Sequence, residues 1–283
     1  MDLDGKVAIV TGASRGVGAA TAVALAGAGC RVACVARSTK AAPQRTAGTL
    51  DETVARAREA GGDAIPIATN LAKRDEVCSM VSATVDHFGG VDVLVNNAAV
   101  QFIGDLEQPD SRHDLTFAVN YWAPLIATRE CAPHMEQRGG GAIVNVSSLA
   151  ALVPFPDMLS YGTSKIALEH LTLDSARVLH SKGISVNCFR IDISVASEGF
   201  VANTPGADHS NWEPSEVPAE GILWMLRQPL DYTGRRESMY HLREREAIMA
   251  SRVAGLREGS PTPTELFYGL YEAGPSNLAE PYA

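Results

Sequence analysis

The sequence lacks three features that would assign it to a specialised class of protein. No apolar run approaches the roughly 20 residues that cross a bilayer, so we expect no membrane span. Positive charge is not in excess: the formal net charge is −9, which argues against nucleic acid or an anionic membrane as the main partner. The five cysteines form no CxxC pair, as is typical of free thiols in a reducing compartment.

We expect no secretory leader, because MDLDGKVAIV is acidic and continues directly into an apolar segment. We find no internal repeat and no low-complexity tract. We therefore expect a cytoplasmic globular protein, and a hydrophobic fraction of 46% is sufficient for a large core. Cys30, Cys34 and Cys188 lie in apolar runs and are interpreted as small core residues.

Apolar and amphipathic segments alternate along the first two thirds of the chain. Short apolar runs predict six strands, at residues 6–11, 31–36, 63–69, 91–97, 141–148 and 184–190. Helices are predicted at residues 16–29, 50–62, 73–90, 109–137 and 160–183, the fourth interrupted by Pro124 and Pro133. This alternation indicates a parallel sheet with helices on both faces. The expected fold is α/β: a three-layer, doubly wound (Rossmann) parallel sheet in a single domain, with ligands beyond the carboxyl ends of the strands.

The last third departs from this alternation. Residues 193–220 are rich in Gly, Pro, Asn and Ser, and we interpret them as a substrate loop of a dinucleotide-binding and catalytic domain at residues 1–234. Within residues 235–283, apolar side chains recur at helical spacing, namely Leu242, Met249, Val253 and Leu256. This spacing predicts an amphipathic helix rather than a strong edge strand. The helix and the proline-rich arm after it would pack on the same domain or on a partner subunit.

A glycine-rich turn, TGASRGVG at residues 11–18, joins the first predicted strand to the first predicted helix. Gly12, Gly16 and Gly18 would let the backbone approach a pyrophosphate, and the helix N-terminus supplies unpaired N–H groups for it. The spacing is G-x-x-x-G-x-G rather than the usual G-x-G-x-x-G. An ordinary glycine-rich turn is the alternative, but the position between a strand and a helix favours a dinucleotide.

The end of the second predicted strand distinguishes NAD from NADP. An acidic residue there would bind the ribose 2′-hydroxyl of NAD, whereas arginine suits the 2′-phosphate of NADP. Ala36 is followed by Arg37, Ser38 and Thr39, and Arg15 lies in the glycine turn. With two arginines and no carboxylate, the sequence favours NADP(H) over NAD(H). A solvated Arg37 is the alternative, and the polar insert at residues 37–49 either wraps the adenosine phosphate or is a surface loop.

Tyr161 and Lys165 lie four residues apart and would share one face of a helix. The unperturbed pKa of tyrosine is about 10, and a nearby ammonium group would lower it toward neutral pH. The upstream Ser148 could hold a substrate oxygen while the tyrosine transfers its proton. The same spacing also occurs by chance on solvated helices, so the interpretation depends on the motifs around it.

Five motifs in order together resemble the short-chain dehydrogenase/reductase superfamily, in its single-domain branch, over residues 5 to about 190. They are TGASRGVG at the first turn, NNAA at residues 96–99, Asn120 in FAVNYW, Ser148 in VNVSS, and Tyr161 and Lys165 in YGTSK. The resemblance implies that Ser148 orients the substrate carbonyl and Tyr161 donates or removes the proton. It further implies that Lys165 lowers the pKa of Tyr161 and binds the nicotinamide ribose, and that Asn120 holds a water linked to Lys165.

The resemblance and the glycine turn together predict a set of cofactor-binding residues. These are Gly12, Ser14, Arg15, Gly16, Val17, Gly18, Arg37, Ser38, Thr39, Asn70, Leu71, Asn97, Ala98, Ala99, Tyr161, Lys165 and Ile193. Substrate contacts are predicted from mostly apolar positions, namely Val100, Phe102, Ser148, Leu149, Phe155, Leu159, Phe200 and Trp212. No metal site is expected.

The sequence departs from the family after the sixth predicted strand. Ile191 and Asp192 stand where the family usually has Pro-Gly, and Ala196 stands where it has a threonine. Ser194 or Ser197 could replace the threonine contact. Asp192 would bind a cationic or hydroxylated substrate, or cap a helix or turn.

The resemblance implies an NADP(H)-dependent oxidoreductase that interconverts a hydrophobic ketone or aldehyde and an alcohol, in a homodimer or homotetramer. Two alternatives stay open. One is another reaction on the same scaffold, such as imine or C=C reduction or epimerisation. The other is a cofactor-binding protein that has lost catalysis and acts as a sensor or scaffold.

Overall fold

The computed structural model describes residues 1–253, and this part of the chain forms seven strands and nine α-helices. The strands are β1 (Val7–Thr11), β2 (Arg31–Ala36), β3 (Asp63–Ala68), β4 (Val93–Asn96), β5 (Gly141–Ser148), β6 (Ile184–Ile191) and β7 (Arg236–Ser238). The helices are α1 (Gly16–Gly27), α2 (Leu50–Glu59), α3 (Arg74–Phe88), α4 (Asp110–Phe117), α5 (Ala123–Gln137), α6 (Leu159–Leu179), α7 (Glu198–Asn203), α8 (Glu216–Arg227) and α9 (Met239–Glu246).

The seven strands form one parallel sheet in the order β3-β2-β1-β4-β5-β6-β7. Val10 of β1 pairs with Cys34 of β2 on one side and with Val95 of β4 on the other. The strand order reverses between β1 and β4, and a crevice opens beyond their carboxyl ends. The predicted doubly wound sheet is confirmed, and the six predicted strands agree with the structure to within two residues at each end.

Helices cover both faces of the sheet. Helices α1, α2 and α8 pack on one face, whereas α3, α5 and α6 pack on the other. Strand β1 shows why both faces are apolar: Ala8 and Val10 belong to the first core, and Val7 and Ile9 to the second. A strand buried on both faces has a continuous apolar sequence, which is the pattern that predicted it.

The three cysteines that the sequence assigned to the core are buried there. All five are free, and Cys30, Cys34 and Cys188 are fully buried. Burial raises the pKa of the Cys30 and Cys34 thiols to about 12. These thiols are therefore protonated core side chains rather than reactive groups.

The predicted helix over residues 109–137 contains a π-helical turn at Ala118–Trp122, between α4 and α5. Pro124 has no N–H to donate to the carbonyl of Asn120 one turn earlier, and the wider π turn accommodates that gap. Pro133 lies inside α5 without ending it, so only one of the two expected interruptions occurs. Pro133 is exposed, and solvent can satisfy the carbonyl that its ring leaves without a donor.

The predicted helix after residue 235 is confirmed as α9, which buries Leu242, but the prediction is wrong about the edge strand and about the length of the helix. Arg236–Ser238 form β7, which pairs with β6 through Cys188 and Arg236. Helix α9 ends at Glu246, and Met249 follows it with φ of +55°, so the apolar spacing is not helical throughout. Leu256 and the predicted arm lie outside the described residues.

The predicted substrate loop at residues 193–220 contains ordered elements. It holds the short helix α7 and the beginning of α8, and Val195 forms a parallel bridge with Glu213. Helix α8 itself was not predicted, because Pro218 and Gly221 interrupt its apolar pattern. Residues 193–220 therefore fold back on themselves at the edge of the crevice.

Candidate active site

A cavity of about 480 Å³ lies at the carboxyl ends of β1, β4, β5 and β6. Its walls come from the glycine turn, the residues after β4, the first turns of α6 and the segment after β6. These walls come from segments far apart in sequence. The cavity therefore lies where a doubly wound sheet binds its ligands.

The glycine turn folds tightly against the start of α1. Gly12 and Gly16 adopt left-handed conformations, with φ of +70° and +57°. A Cβ atom on Gly18 would lie 2.3 Å from the carbonyl oxygen of Gly12. The start of α1 is thus packed too closely against Gly12 for a side chain at residue 18. The turn and the first residues of α1 border the cavity and form a cradle that fits the pyrophosphate of a dinucleotide.

Thr11 and Asn97 fasten the end of β4 to the glycine turn. Thr11 Oγ1 accepts hydrogen bonds from the backbone N–H groups of Asn97 and Ala98, each at 3.1 Å. Asn97 Nδ2 donates to the Thr11 carbonyl at 2.9 Å. The segment after β4 is therefore held beside the turn and forms the adjacent wall of the cavity.

Tyr161, Lys165 and Ser148 lie together on the opposite wall. Lys165 Nζ is 5.6 Å from the centroid of the Tyr161 ring and donates to the Val146 carbonyl at 2.7 Å. Ser148 shares a side-chain hydrogen bond with Tyr161. The structure thus brings together a phenol, a hydroxyl and an ammonium group on one cavity.

The pKa of Tyr161 is raised in the structure, whereas the sequence predicted that Lys165 would lower it. Burial raises this pKa, and the hydrogen bond with Ser148 offsets part of the effect. Lys165 is itself only 2% exposed, and burial lowers its pKa to about 8. The cost of burying the phenolate therefore outweighs the effect that an adjacent cation was expected to have on the pKa of Tyr161.

Asn120 lies behind the cavity wall and connects two of its parts. Its Oδ1 accepts from the Val100 N–H at 2.8 Å, and its Nδ2 donates to the Val100 carbonyl and to Ser164 Oγ, each at 3.0 Å. Ser164 Oγ in turn donates to the Tyr161 carbonyl at 2.7 Å. The Asn120 side chain therefore fixes the segment after β4 to the helical turn that carries Tyr161.

A buried ion pair lies one helical turn beyond Lys165 and was missed by the sequence analysis. Glu169 is fully buried and accepts from Arg190 at 2.8 and 2.6 Å in a bidentate pair. Ser147 Oγ also donates to Glu169, at 2.9 Å. The four-residue spacing from Lys165 to Glu169 is the signal that could have revealed a charged group under the site.

Asp192 caps a helix, which was one of the two predicted roles. Its Oδ1 accepts from the backbone N–H of Tyr240 in the first turn of α9 at 3.0 Å, and its Oδ2 accepts from Ser238 Oγ. Asp192 borders the cavity, and burial raises the pKa of its carboxyl. Because both of its oxygens accept hydrogen bonds from residues 238 and 240, the side chain joins β6 to α9.

Most of the predicted site residues line the cavity. Those that do are Gly12, Ser14, Arg15, Gly16, Val17, Gly18, Arg37, Ser38, Asn70, Leu71, Asn97, Ala98, Ala99, Val100, Ser148, Leu149, Phe155, Tyr161, Lys165, Ile193, Ser194, Ser197 and Phe200. Five others do not line it, namely Thr39, Phe102, Asn120, Leu159 and Trp212. Ala196 lines a different pocket.

The predicted residues that do not line the cavity make other contacts or are exposed. Thr39 closes a turn with Ala42, and the guanidinium of Arg112 lies over the Phe102 ring at 5.3 Å. Trp212 stacks on Phe200 at 4.8 Å and lines the different pocket. Leu159 is 39% exposed. These residues were predicted from their position in a loop or an apolar segment, and such a position does not determine the direction of the side chain.

The match to known families agrees with this geometry. A family model described as short chain dehydrogenase matches residues 6–194. The chain belongs to the short-chain dehydrogenase family. This dehydrogenase is therefore an oxidoreductase of a family that uses nicotinamide cofactors.

Relatives of this short-chain dehydrogenase cover most of its length. An uncharacterized oxidoreductase of Thermotoga maritima is 37% identical over 231 residues, which cover 81% of this chain and 80% of the relative. A 3-oxoacyl-[acyl-carrier-protein] reductase of Synechocystis is 34% identical, covering 75% of this chain and 80% of the relative. The crystal structure of a short chain dehydrogenase of Mycobacterium thermoresistibile has a TM-score of 0.78 and 28% identity, covering 92% of this chain and 97% of that one.

The cavity has further lining residues that were not predicted from the sequence. They are Ala36, Gln44, Thr69, Gln101, Leu115, Val119, Val146, Ser147, Ala150, Met158, Val195, Gly199 and Asn203. Ile191 and Asp192, which the sequence marked as a departure from the family, also line it. Thr69 directly follows β3, so the rule that ligands lie beyond strand ends could have found it. Gln44 belongs to the insert at residues 37–49, for which the sequence left a surface loop as an alternative.

Two absences apply to residues 1–253 of the dehydrogenase. No helix in that range is both long enough and apolar enough to cross a membrane. Likewise, no three or more of its described His, Cys, Asp and Glu side chains come together as a possible metal site.

Proposed function

We propose that this protein is an NADP(H)-dependent oxidoreductase that interconverts a hydrophobic ketone or aldehyde and the corresponding alcohol. The observation that carries the proposal is the shared cavity. Tyr161, Ser148 and Lys165 border the same space as the cradle formed by the glycine turn. This shared lining supports a proton donor and a dinucleotide site within one pocket.

Tyr161 would act as the general acid during reduction and as the general base during oxidation. Its raised pKa keeps the phenol protonated, which supports proton donation to a substrate oxygen. Ser148 would hold that oxygen by a hydrogen bond. When bound, the nicotinamide would supply or accept the hydride.

Lys165 has two roles in this proposal. It places a buried positive charge near the phenol, which stabilises negative charge on the oxygen during proton transfer. An ammonium group has three donors, and the Val146 carbonyl takes one. The remaining donors would hold a ribose hydroxyl of the nicotinamide nucleoside.

The cofactor preference rests on the adenosine end of the cavity. Arg15, Arg37 and Ser38 line it, and β2 ends at Ala36 with no carboxylate to follow. Neither arginine has an ion-pair partner within 4 Å among the described residues. Two cations with no paired carboxylate favour the 2′-phosphate of NADP over the hydroxyl of NAD.

The proposed substrate class is supported by the lining at the opposite end of the cavity from the adenosine site. Leu149, Phe155, Met158 and Phe200 border the cavity near Ser148 and Tyr161. Their apolar side chains favour a hydrophobic group on the substrate.

A spectrophotometric screen tests the proposal. NADPH and NADH oxidation would be measured against ketones and aldehydes, with imines and activated alkenes as separate panels. We expect carbonyl reduction with NADPH, and a fall of about 10²–10⁴-fold in turnover for Tyr161→Phe because it removes the acid. Tyr121→Phe, which changes a tyrosine outside the cavity, is the control. Unchanged turnover of Tyr161→Phe, or turnover with imines or alkenes alone, would reject the proposed reaction.

We propose in addition that the protein is a cytoplasmic homodimer or homotetramer. Five free cysteines support a reducing compartment. Trp122, Ile166 and Val178 are large apolar side chains with 40%, 41% and 55% exposure, which supports a subunit contact that covers them. Light scattering on the eluting protein measures the assembly, and a monomer at micromolar concentration would contradict it.

A further inference from the structure

The insert loop, residues 37–49 between β2 and α2, is fastened to the glycine turn by Arg15. Arg15 Nε donates to the Ala47 carbonyl at 2.5 Å, and Nη2 donates to the carbonyls of Thr46 at 2.8 Å and Gly48 at 3.1 Å. Three backbone carbonyls of the loop therefore surround one side of the guanidinium.

Carbonyl partners fix the guanidinium without neutralising it. A carboxylate would cancel the positive charge, whereas carbonyl groups contribute only dipoles. Arg15 Nη1 has no hydrogen-bond partner within residues 1–253, and Arg15 borders the cavity beside Arg37. Glu198 is the acidic group that interacts electrostatically with Arg15, but no ion pair joins them in that part of the chain. Arg15 is therefore a fixed cation at the adenosine end of the cavity, and its Nη1 is available to donate hydrogen bonds.

Gly48 sets the distance between the loop and the turn. Its φ is +100°, and a Cβ atom there would lie 2.6 Å from the Ser14 carbonyl oxygen and 2.8 Å from Arg15 Cβ. Ser38 Oγ donates to the Gly48 carbonyl at 2.8 Å and braces the same residue from the other side. The capping box of Thr49 and Glu52 then anchors the end of the loop to α2. Contacts at both ends of the insert loop therefore hold Gly48 close to the glycine turn.

We propose that the insert loop is a cofactor-selecting element, which positions Arg15 for the 2′-phosphate of an NADP-type dinucleotide through the close approach at Gly48. This inference rests on the proposed dinucleotide site. Gln44, which also lines the cavity, places a neutral amide from the same loop at that end.

Calorimetric binding of 2′,5′-ADP and 5′-AMP to the full chain tests this inference without catalysis. The wild type should prefer 2′,5′-ADP. In Gly48→Ala the added methyl group displaces the loop, and the preference should fall about tenfold, the value of a hydrogen bond to a charged group. Gly61→Ala is the matched control: its φ is +98°, but nothing lies within 4 Å of the added atom. Its preference should stay at the wild-type value.

A double-mutant cycle identifies the residue through which the loop acts. Gly48→Ala should have no further effect on the preference in an Arg15→Met background. Thr49→Ala removes the capping box that anchors the loop, at a residue that does not line the cavity. It should lower the preference a few fold, and it replaces Gly48→Ala if that variant does not fold. A wild-type preference that survives both Gly48→Ala and Thr49→Ala, or an equal loss in the Arg15→Met background, would overturn the role of the loop while leaving the proposed function intact. A wild type that binds neither nucleotide would overturn the proposed function itself.

Discussion

Lys165 is a lysine held in the protein interior, and its charge makes the stability of the fold depend on pH. Burial lowers its pKa to about 8, whereas an unfolded lysine has a pKa near 10.4. Below pH 8 the ammonium is charged in both states, and the folded state bears the full cost of burying it. Between about pH 8 and 10.5 the unfolded state binds more protons, so stability rises with pH and this cost is relieved.

Lys165→Met should therefore be more stable than the wild type at pH 7, and the difference should shrink as pH rises to 10.5. The shift corresponds to roughly 3 kcal/mol, since each pKa unit is worth about 1.4 kcal/mol. Urea unfolding at several pH values measures the difference. Lys182→Met is the control, because Lys182 is 40% exposed in its pair with Glu136. A stability gap that is independent of pH would show that the cost does not come from the buried ammonium.

The second residue-scale prediction concerns Glu169. Glu169→Gln leaves Arg190 buried without its counter-charge, which should lower the free energy of unfolding by about 3–5 kcal/mol. Glu136→Gln removes the equivalent partner from the exposed pair with Lys182 and should cost less than about 1 kcal/mol. Denaturant unfolding compares the two variants. Equal losses would mean that the burial of Arg190 carries no special penalty.

At the scale of single residues, the sequence could predict which side chains meet but not their electrostatics. Tyr161 and Lys165 face the same cavity because helical spacing determines it. The direction of the Tyr161 pKa shift depends on how deeply the phenol is buried, which sequence spacing does not reveal. The partners of Arg15 were equally hidden, because they are backbone carbonyls of a loop.

At the scale of elements, Asp192 couples the end of β6 to the start of α9. Asp192→Ala removes an acceptor from the Tyr240 N–H and the Ser238 hydroxyl, and loss of such a cap should cost about 1–2 kcal/mol. We expect faster amide exchange across residues 239–246. Asp110→Ala, at the start of α4 where no side-chain cap bond is present, is the control. Unchanged exchange in α9 would show that Asp192 does not hold the helix.

The elements that the sequence predicted correctly are those with their own apolar signal. Strands β1, β2, β4, β5 and β6 are almost wholly buried runs, β3 is a short apolar run at the edge of the sheet, and α6 is a long helix. Strand β7 has only three residues and one buried side chain, Ser238. It forms because β6 has a free edge with which it can pair. This pairing is a tertiary interaction, which the local sequence propensity does not predict.

At the scale of the whole molecule, the end of the described chain belongs to the core. Met239 and Leu242 of α9 are fully buried, and Arg243 pairs with the buried Glu213 at 2.8 Å. Through Glu213 this pair reaches the segment after β6, since the Glu213 N–H donates to the Ser194 carbonyl at 2.9 Å. The sequence suggested a boundary at residue 234, because helical spacing alone does not show which surface a helix covers.

Truncation distinguishes a separable tail from part of the fold. A chain ending at Gly234 loses β7, α9 and the residues after it. With them go the buried apolar side chains of Met239, Leu242 and Met249 and the partner of Glu213. Each buried side chain is worth about 2–5 kcal/mol, so the melting temperature should fall by more than about 10 °C or the chain should not fold. A chain ending at Val253 keeps every contact described here and should unfold cooperatively. Calorimetry of both chains makes the comparison: equal melting temperatures would mean that α9 packs on the core without stabilising it.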